Sequence, residues 1–290
     1  GDLAYLGHKF EGQDLQRLKK GTSSAESVTL SFWIKTSVTG TYILQIYDND
    51  NNRHISKSYT VSSADTWEHK SITFAGDTTG TLDDDNAYSL QLYWWLAAGS
   101  TYTSGTLATS WASFTGANAA VGQVNAINST SNNIYITGVQ LEVGDTATPF
   151  EHRSYGEELS LCQRYFFNIL GGSTSQFPVN FGNAVSTGNN GHIAFNVPLP
   201  QPMRADPTFT HDLANSNYQA VNPGATQWSF YYQNQGWAGK AGNGDLNTLS
   251  RAMNGKSSVT LGTYYITPGG TTSDQLYVGG SRKMWLSAEL

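Results

Sequence analysis

The chain has 290 residues, a formal net charge of −6 and a pI near 5.4, and only 13% of its residues are charged, about half the usual share in globular proteins. With 16 Lys and Arg against 22 Asp and Glu it lacks the basic surface that nucleic acids demand, and 38% hydrophobic with 12% aromatic residues is too rich for disorder. Mean hydropathy is −0.38 and no stretch approaches the roughly 20 apolar residues of a membrane-spanning helix, so the expected partners include neither nucleic acid nor a membrane.

One cysteine, Cys162, excludes an internal disulfide framework and a cysteine-based zinc cage. A start at Gly1-Asp2, without Met or an apolar leader, gives the expectation of a piece of a longer protein. At roughly 100–200 residues per domain, two domains are expected.

Ser, Thr, Asn, Gln and Gly stand where charge is missing, together with Thr, Tyr, Trp, Val and Ile, which suit a pleated surface. In Val28–Lys35 the apolar set Val28, Leu30, Phe32 and Ile34 falls on one face, with Thr29, Ser31, Trp33 and Lys35 on the other. Tyr88–Leu96 repeats the pattern, with Tyr88, Leu90, Leu92, Trp94 and Leu96 inward. Further strands are predicted at Thr41–Tyr47, Arg53–Val61, Trp67–Phe74 and Ile134–Val143, joined by Gly-, Asp- and Asn-rich turns. Residues 99–124, small and polar, predict an ordered loop with one strand.

Ser154 and Glu157 have capping-box spacing and predict a helix over Ser154–Phe166. Leu159, Cys162 and Phe166 then share a stripe, which makes Cys162 a small buried apolar residue; no His or basic neighbour marks it as a catalytic thiol. Gly171–Ser175 is a boundary. Beyond it strands are predicted at Gly191–Leu199, Ala205–His211, Gln227–Asn234, Ser257–Ile266, Gln275–Val278 and Lys283–Leu290, with a loop at Gly236–Gly255. The expected organisation is all-β: a β-sandwich or jelly roll at 1–152, a connecting helix at 153–170 and a second β-sandwich at 171–290.

Trp33, Tyr93 and Trp95 alternate away from the predicted core face. Outward rings form platforms for sugars, whose C–H faces pack on aromatic surfaces; the alternative is that they face a second sheet, a neighbouring domain or a subunit. Trp237, between glycines in Gly236–Lys240, either stacks on a sugar, with Tyr231, Asn234 and Gln235 nearby in sequence, or plugs its own domain's core. Asp48–Asn52 begins like an EF-hand loop but has Arg53 where Gly is required and Tyr59 where a bidentate Glu belongs, so a hairpin turn is expected. Asp83–Asp85 is expected as a solvated turn. The six histidines show no metal-ligand spacing, and no nucleophile elbow or phosphate loop occurs. Paired carboxylates for glycoside hydrolysis need only converge in space, but no short β-helix period is present.

Two stretches carry a resemblance. "YLGHKFEGQDLQRLKKGTSSAESVTLSFWIKT", Tyr5–Thr36, resembles the opening of carbohydrate-binding-module-like, galactose-binding-like jelly rolls in bacteriophage structural proteins. "YITGVQLEVGDTATPFEHRSYGEELSLCQRYF", Tyr135–Phe166, resembles the closing strand and exit helix of that domain, and "TWEHKSITFAGDTTG" between them fits. "VPLPQPMRADPTFT" and the terminal "WLSAEL" are similar to segments of tail-fibre-like proteins. The resemblance implies a virion appendage, a tail fibre or spike made in the bacterial cytoplasm, that attaches to host surface glycan. It also implies a homotrimer joined to other virion proteins through an upstream region. A structural or decoration protein of capsid or tail without glycan specificity is the alternative, and a polysaccharide depolymerase a third. No cofactor is expected beyond a structural calcium ion, for which Glu11 in "FEG" and Glu142 in "QLEVG" are the family-level ligands; sugar-binding residues do not transfer by position.

Overall fold

The computed structural model describes residues 3–170, 191–205 and the short strands beyond them that are named below. The chain divides into two compact units, with the boundary between His152 and Arg153.

The first unit contains β1 (Leu3–Glu11), β2 (Val28–Thr36), β3 (Gly40–Asp48), β4 (Arg53–Val61), β5 (Glu68–Phe74), β6 (Tyr88–Ala98), a one-turn helix α1 (Ser100–Thr103), β7 (Ala112–Ser113) and β8 (Ile134–Val143). They form a five-stranded sheet, β1-β6-β3-β4-β7, and a three-stranded sheet, β5-β2-β8, antiparallel throughout. One core lies between them. The three-stranded sheet supplies Val28, Leu30, Phe32, Ile34 and Phe74, and the five-stranded sheet Tyr42, Leu44, Ile46, Ile55, Tyr59, Leu90, Leu92 and Trp94. Phe32 bridges the layers, edge-on to Tyr59 at 5.4 Å and to Trp94 at 5.9 Å. On β2 this is the apolar set that the period-two reading placed inward; on β6 Leu90, Leu92 and Trp94 enter the core as expected, whereas Tyr88 and Leu96, at the ends of the predicted stripe, stay only partly buried and outside it.

β1 escaped the sequence pattern because it is an edge strand, exposed along most of its length and bulged at Ala4/Tyr5 and Phe10/Glu11. The five-stranded sheet is also buried on its outer face, where Ile43 and Trp95 pack with Ala119 and Ala120 of the segment after β6. That segment is anchored at intervals: Ser56 Oγ donates to Ala119 O at 2.8 Å, Ile43 N to Gln123 Oε1 at 2.7 Å and Val124 N to Thr41 O at 2.8 Å.

A buried ion network closes one end of the unit. Lys20 Nζ reaches Asp48 Oδ2 at 2.5 Å and Asp77 Oδ2 at 3.1 Å, and donates to Thr79 O and Gly80 O at 3.0 Å. Arg53 grips Asp77 with Nε at 2.7 Å and Nη2 at 3.0 Å. Asn51 Nδ2 donates to both Asp48 oxygens and to Thr81 O. The Asp48–Asn52 segment is therefore the β3–β4 turn, with Asp48 paired to Arg53 across it. Gly21, at φ +81°, is required here: a Cβ would lie 2.7 Å from the Gly80 and Thr81 backbone. Burial opposes ionisation of Asp77, but hydrogen bonds from Arg53, Lys20 and Thr79 outweigh it and hold the carboxyl below its ordinary value.

In the second unit α2 (Tyr155–Gln163) is capped by Ser154 Oγ, which accepts from Glu157 N at 3.3 Å. The chain leaves the helix at Gln163 and turns into β9 (Phe166–Leu170), so the helix does not reach Phe166. No residue of α2 is buried and Cys162 is exposed, which corrects the expected buried stripe: Leu159 and Leu161 face solvent. Then follow β10 (Gly191–Pro198), β11 (Thr208–His211), β12 (Tyr218–Ala220), β13 (Tyr231–Tyr232), β14 (Gly236–Trp237), β15 (Ser258–Tyr265), β16 (Leu276–Val278) and β17 (Met284–Ser287). They pair antiparallel as β11-β17-β9, β10-β15, β12-β16 and β13-β14. Among the described residues the chain is thus mostly β-sheet with few helices.

Lys20→Met, which leaves Asp48 buried without its cation, should cost about 3–5 kcal/mol in chemical denaturation. Because the folded Asp77 carboxyl titrates below its ordinary 3.8, its contribution is complete above that value and is lost as pH falls through the depressed one. Asp77→Asn should therefore flatten the fall in stability of the first unit below about pH 4, measured by urea unfolding across that range.

Candidate functional site

Along β6 the residues facing away from the core are Ser89, Gln91, Tyr93 and Trp95, and cross-strand register aligns others with them. β1 sets Tyr5 opposite Trp95 and Gly7 opposite Tyr93, while β3 sets Gln45 opposite Tyr93 and Tyr47 opposite Gln91. β4 adds His54 opposite Tyr47 and Ser56 opposite Gln45. This face lies beneath residues 99–120, and where the cover is incomplete it leaves a cavity of about 170 Å³. Leu3, Tyr5, Gln45, Tyr47, Tyr93, Trp95, Tyr102 and Phe114 line it.

The rings are arranged against one another. Tyr93 and Trp95 are nearly parallel at 6.2 Å, Tyr5 stands edge-on to Tyr93 at 4.6 Å, Tyr102 lies 5.1 Å from Trp95, and Phe114 is edge-on to Tyr47 at 5.2 Å. The polar groups are oriented by hydrogen bonds. Trp95 Nε1 donates to Gln45 Oε1 at 3.0 Å, and Tyr93 Oη donates to Gln91 Oε1 at 2.9 Å. Burial, then the neighbouring phenols, pushes the Tyr93 hydroxyl well above its ordinary range, so it stays protonated. Chemically the cavity offers aromatic faces, phenol hydroxyls and an amide, with no charged side chain in its wall.

The structure brings Tyr93 and Trp95 together as predicted from their alternation, but Trp95 is 3% exposed and is a wall of the cavity rather than an open platform. The segment after β6 covers it, which period-two alternation within β6 cannot reveal. Trp33 is on the outer face of the other sheet and is 44% exposed, so it does not belong to the same site. It lies 5.2 Å from the His69 ring, beside a bulge in β8 between its pairings Ser31–Gln140 and Trp33–Thr137. Gly138 in that bulge has φ +57°, and a Cβ there would press on the Trp33 ring at 3.3 Å. Trp67, Tyr135 and Phe150 are also exposed around this sheet, and Lys35 Nζ lies over the Tyr135 ring at 4.9 Å.

Tyr231 and Trp237 face each other in backbone register across the β13–β14 pair, so Gly236–Trp237 is a strand where a loop was expected. Asn234 lies outside the described residues. Glu11 and Glu142 sit on strands of different sheets. Glu11 is buried and accepts from Gln13 Nε2 at 2.6 Å, whereas Glu142 accepts from Thr148 N at 3.0 Å and from Thr148 Oγ1. Among the described residues, no group of three or more His, Cys, Asp or Glu gathers in metal-binding geometry.

Tyr5, Gln45, Tyr47, Tyr102 and Phe114 were not singled out from the sequence. Gln45 and Tyr47 had a signal, since they alternate with Tyr42, Leu44 and Ile46 on β3; Tyr102 and Phe114 had none, because they come from the one-turn helix α1 and from just after the two-residue strand β7, elements too short to show a period. The chain matches no protein-family model, and no curated protein shows significant similarity to it.

The two tryptophans should separate on truncation. Trp95→Ala should cost about 3–5 kcal/mol in thermal or chemical unfolding, as expected for a buried ring, and Trp33→Ala about 1 kcal/mol or less.

Proposed function

We propose that the chain is the distal part of a bacteriophage virion appendage, a tail fibre or spike, that attaches to its host by binding a cell-surface glycan. The observation that carries this reading is the cavity on the five-stranded sheet. A sugar ring has C–H faces that pack on aromatic rings and hydroxyls that pair with amides and phenols, and Tyr47, Tyr93, Trp95 and Gln45 supply both partners in one wall. The volume lies below the roughly 300–1,000 Å³ of pockets for drug-sized ligands, which suits one ring of a longer chain. Glycoside hydrolysis takes a pair of carboxylates, and no carboxylate lines the cavity, so the reading is binding rather than depolymerisation.

The finer architecture belongs to the same proposal. Both units are β-sandwich or jelly-roll domains, for which the two facing sheets and shared core of residues 1–152 are the support. The appendage is a homotrimer with its C-terminal domain forming most of the contact; the apolar surface exposed on α2 at Leu159 and Leu161 supports an oligomer. It is carried on the virion and joined to other virion proteins upstream.

A structural or decoration role is the second reading, favoured by the aromatic surface around Trp33, Trp67, Tyr135 and Phe150, since clustered exposed rings mark interfaces between proteins. The readings part on mutation. For a glycan-binding appendage, Tyr93→Ala should weaken attachment of the full chain to host cells and to a glycan array by about tenfold or more, with the melting temperature shifted by only a few degrees. Attachment undiminished by Tyr93→Ala, together with virion assembly lost on Trp33→Ala, would establish the structural reading instead.

A further inference from the structure

A polar chain runs behind the cavity wall. Trp95 Nε1 donates to Gln45 Oε1 at 3.0 Å. An indole N–H can only donate, so this bond decides which end of the Gln45 amide is oxygen. It leaves Gln45 Nε2 facing His54 Nδ1, 3.0 Å away. The amide nitrogen also only donates, so Nδ1 accepts. His54 is fully buried, and burial lowers its pKa and keeps it neutral. A neutral imidazole whose Nδ1 accepts carries its proton on Nε2. That Nε2 has no hydrogen-bond partner, and a buried donor left unmade is costly.

His54 does not itself line the cavity, but three of its neighbours do. His54 stands opposite Tyr47 across the β3–β4 pair, and the Phe114 ring lies 5.1 Å from the His54 ring. Gln45, Tyr47 and Phe114 all line the cavity. Phe114 follows the short strand β7 and is partly exposed, its backbone held by donation from Phe114 N to Asn52 O at 2.8 Å. Its side chain can therefore turn without breaking that anchor.

We propose that Trp95, Gln45 and His54 form a relay that holds His54 Nε2–H ready to donate to an acceptor oxygen of an uncharged sugar, in a subsite that Phe114 covers in the free protein. This rests on the glycan reading and narrows its ligand class. The wall carries no cation, and the same burial that keeps the Tyr93 phenol protonated disfavours an anionic ring. Neutral hexoses and N-acetylhexosamines fit; uronic acids do not.

The test is NMR on the full chain, with nitrogen-labelled histidine to read the imidazoles and labelled tyrosine to read Tyr93. The probes are methyl β-galactoside, methyl α-glucoside, methyl β-N-acetylglucosaminide and glucuronate. The free protein should show His54 protonated on Nε2. At least one neutral glycoside should shift that signal, and glucuronate should not. Trp95→Phe keeps a ring but frees the Gln45 amide to turn, and should bind the same glycoside about tenfold more weakly. A His54 protonated on Nδ1, a shift produced by glucuronate, or a glycoside that perturbs Tyr93 while leaving His54 unmoved overturns the relay; the last result leaves the glycan reading standing. Perturbation of neither residue by any glycoside overturns both. Should Trp95→Phe fail to fold, the tautomer and the glycoside shifts decide alone.

Discussion

The arrangement of the first unit depends on two cations and two carboxylates enclosed together. Lys20, Asp48, Arg53 and Asp77 come from the segment after β1, the end of β3, the start of β4 and the segment after β5. They form a neutral cluster in which the backbone carbonyls of Thr79 and Gly80 and the Asn51 amide engage the remaining hydrogen-bonding capacity. Buried charge is tolerated only when it is paired and fully hydrogen-bonded, so all four segments must be in place at once. Apolar packing between the two sheets supplies driving force without direction; the ion cluster sets the β3–β4 turn against the ends of its neighbours. Asp48 and Arg53, paired at the end of the β3–β4 hairpin, belong to that cluster, and the same hairpin carries Gln45 and Tyr47 into the cavity wall.

The strands that face one core were legible because each alternates between apolar and polar residues over its own length. β2 is the clearest case: Val28, Leu30, Phe32 and Ile34 all enter the core. β1 was not legible, since an edge strand with two bulges and mostly exposed residues breaks the alternation. The capping pair Ser154 and Glu157 located the start of α2, but the spacing of Leu159, Cys162 and Phe166 gave the wrong impression of a buried stripe. Spacing on a helix assigns a face, and only tertiary contact decides whether that face is covered.

The candidate site was legible in half. Alternation alone placed Tyr93 and Trp95 on one face, and the geometry brings them into one wall. It also grouped them with Trp33, because a strand pattern carries no information about which sheet the strand joins. The partners Tyr102 and Phe114 come from a segment with almost no regular structure, where no periodic signal exists. His54 was visible only as one scattered histidine; its meaning comes from hydrogen bonds that join the β3–β4 hairpin to β6, whose Trp95 lies 50 residues from Gln45.

The segment that roofs the cavity contributes only the two residues of β7 to the sheets, and it is fastened by individual hydrogen bonds to Ser56, Ile43 and Thr41. Lengthening such a connection is thermodynamically mild, about 0.6 kcal/mol for each doubling, and the core between the sheets is built without most of it. Floor and roof are therefore under different selective pressures. The floor is tied to the register of four strands and changes only at the expense of folding. The roof between its anchors is freer to gain or lose residues, so diversity among descendants of this scaffold should accumulate in the stretches of residues 99–126 that flank Ala119, Ala120 and Ala126, which are fully buried, while the wall beneath them stays recognisable.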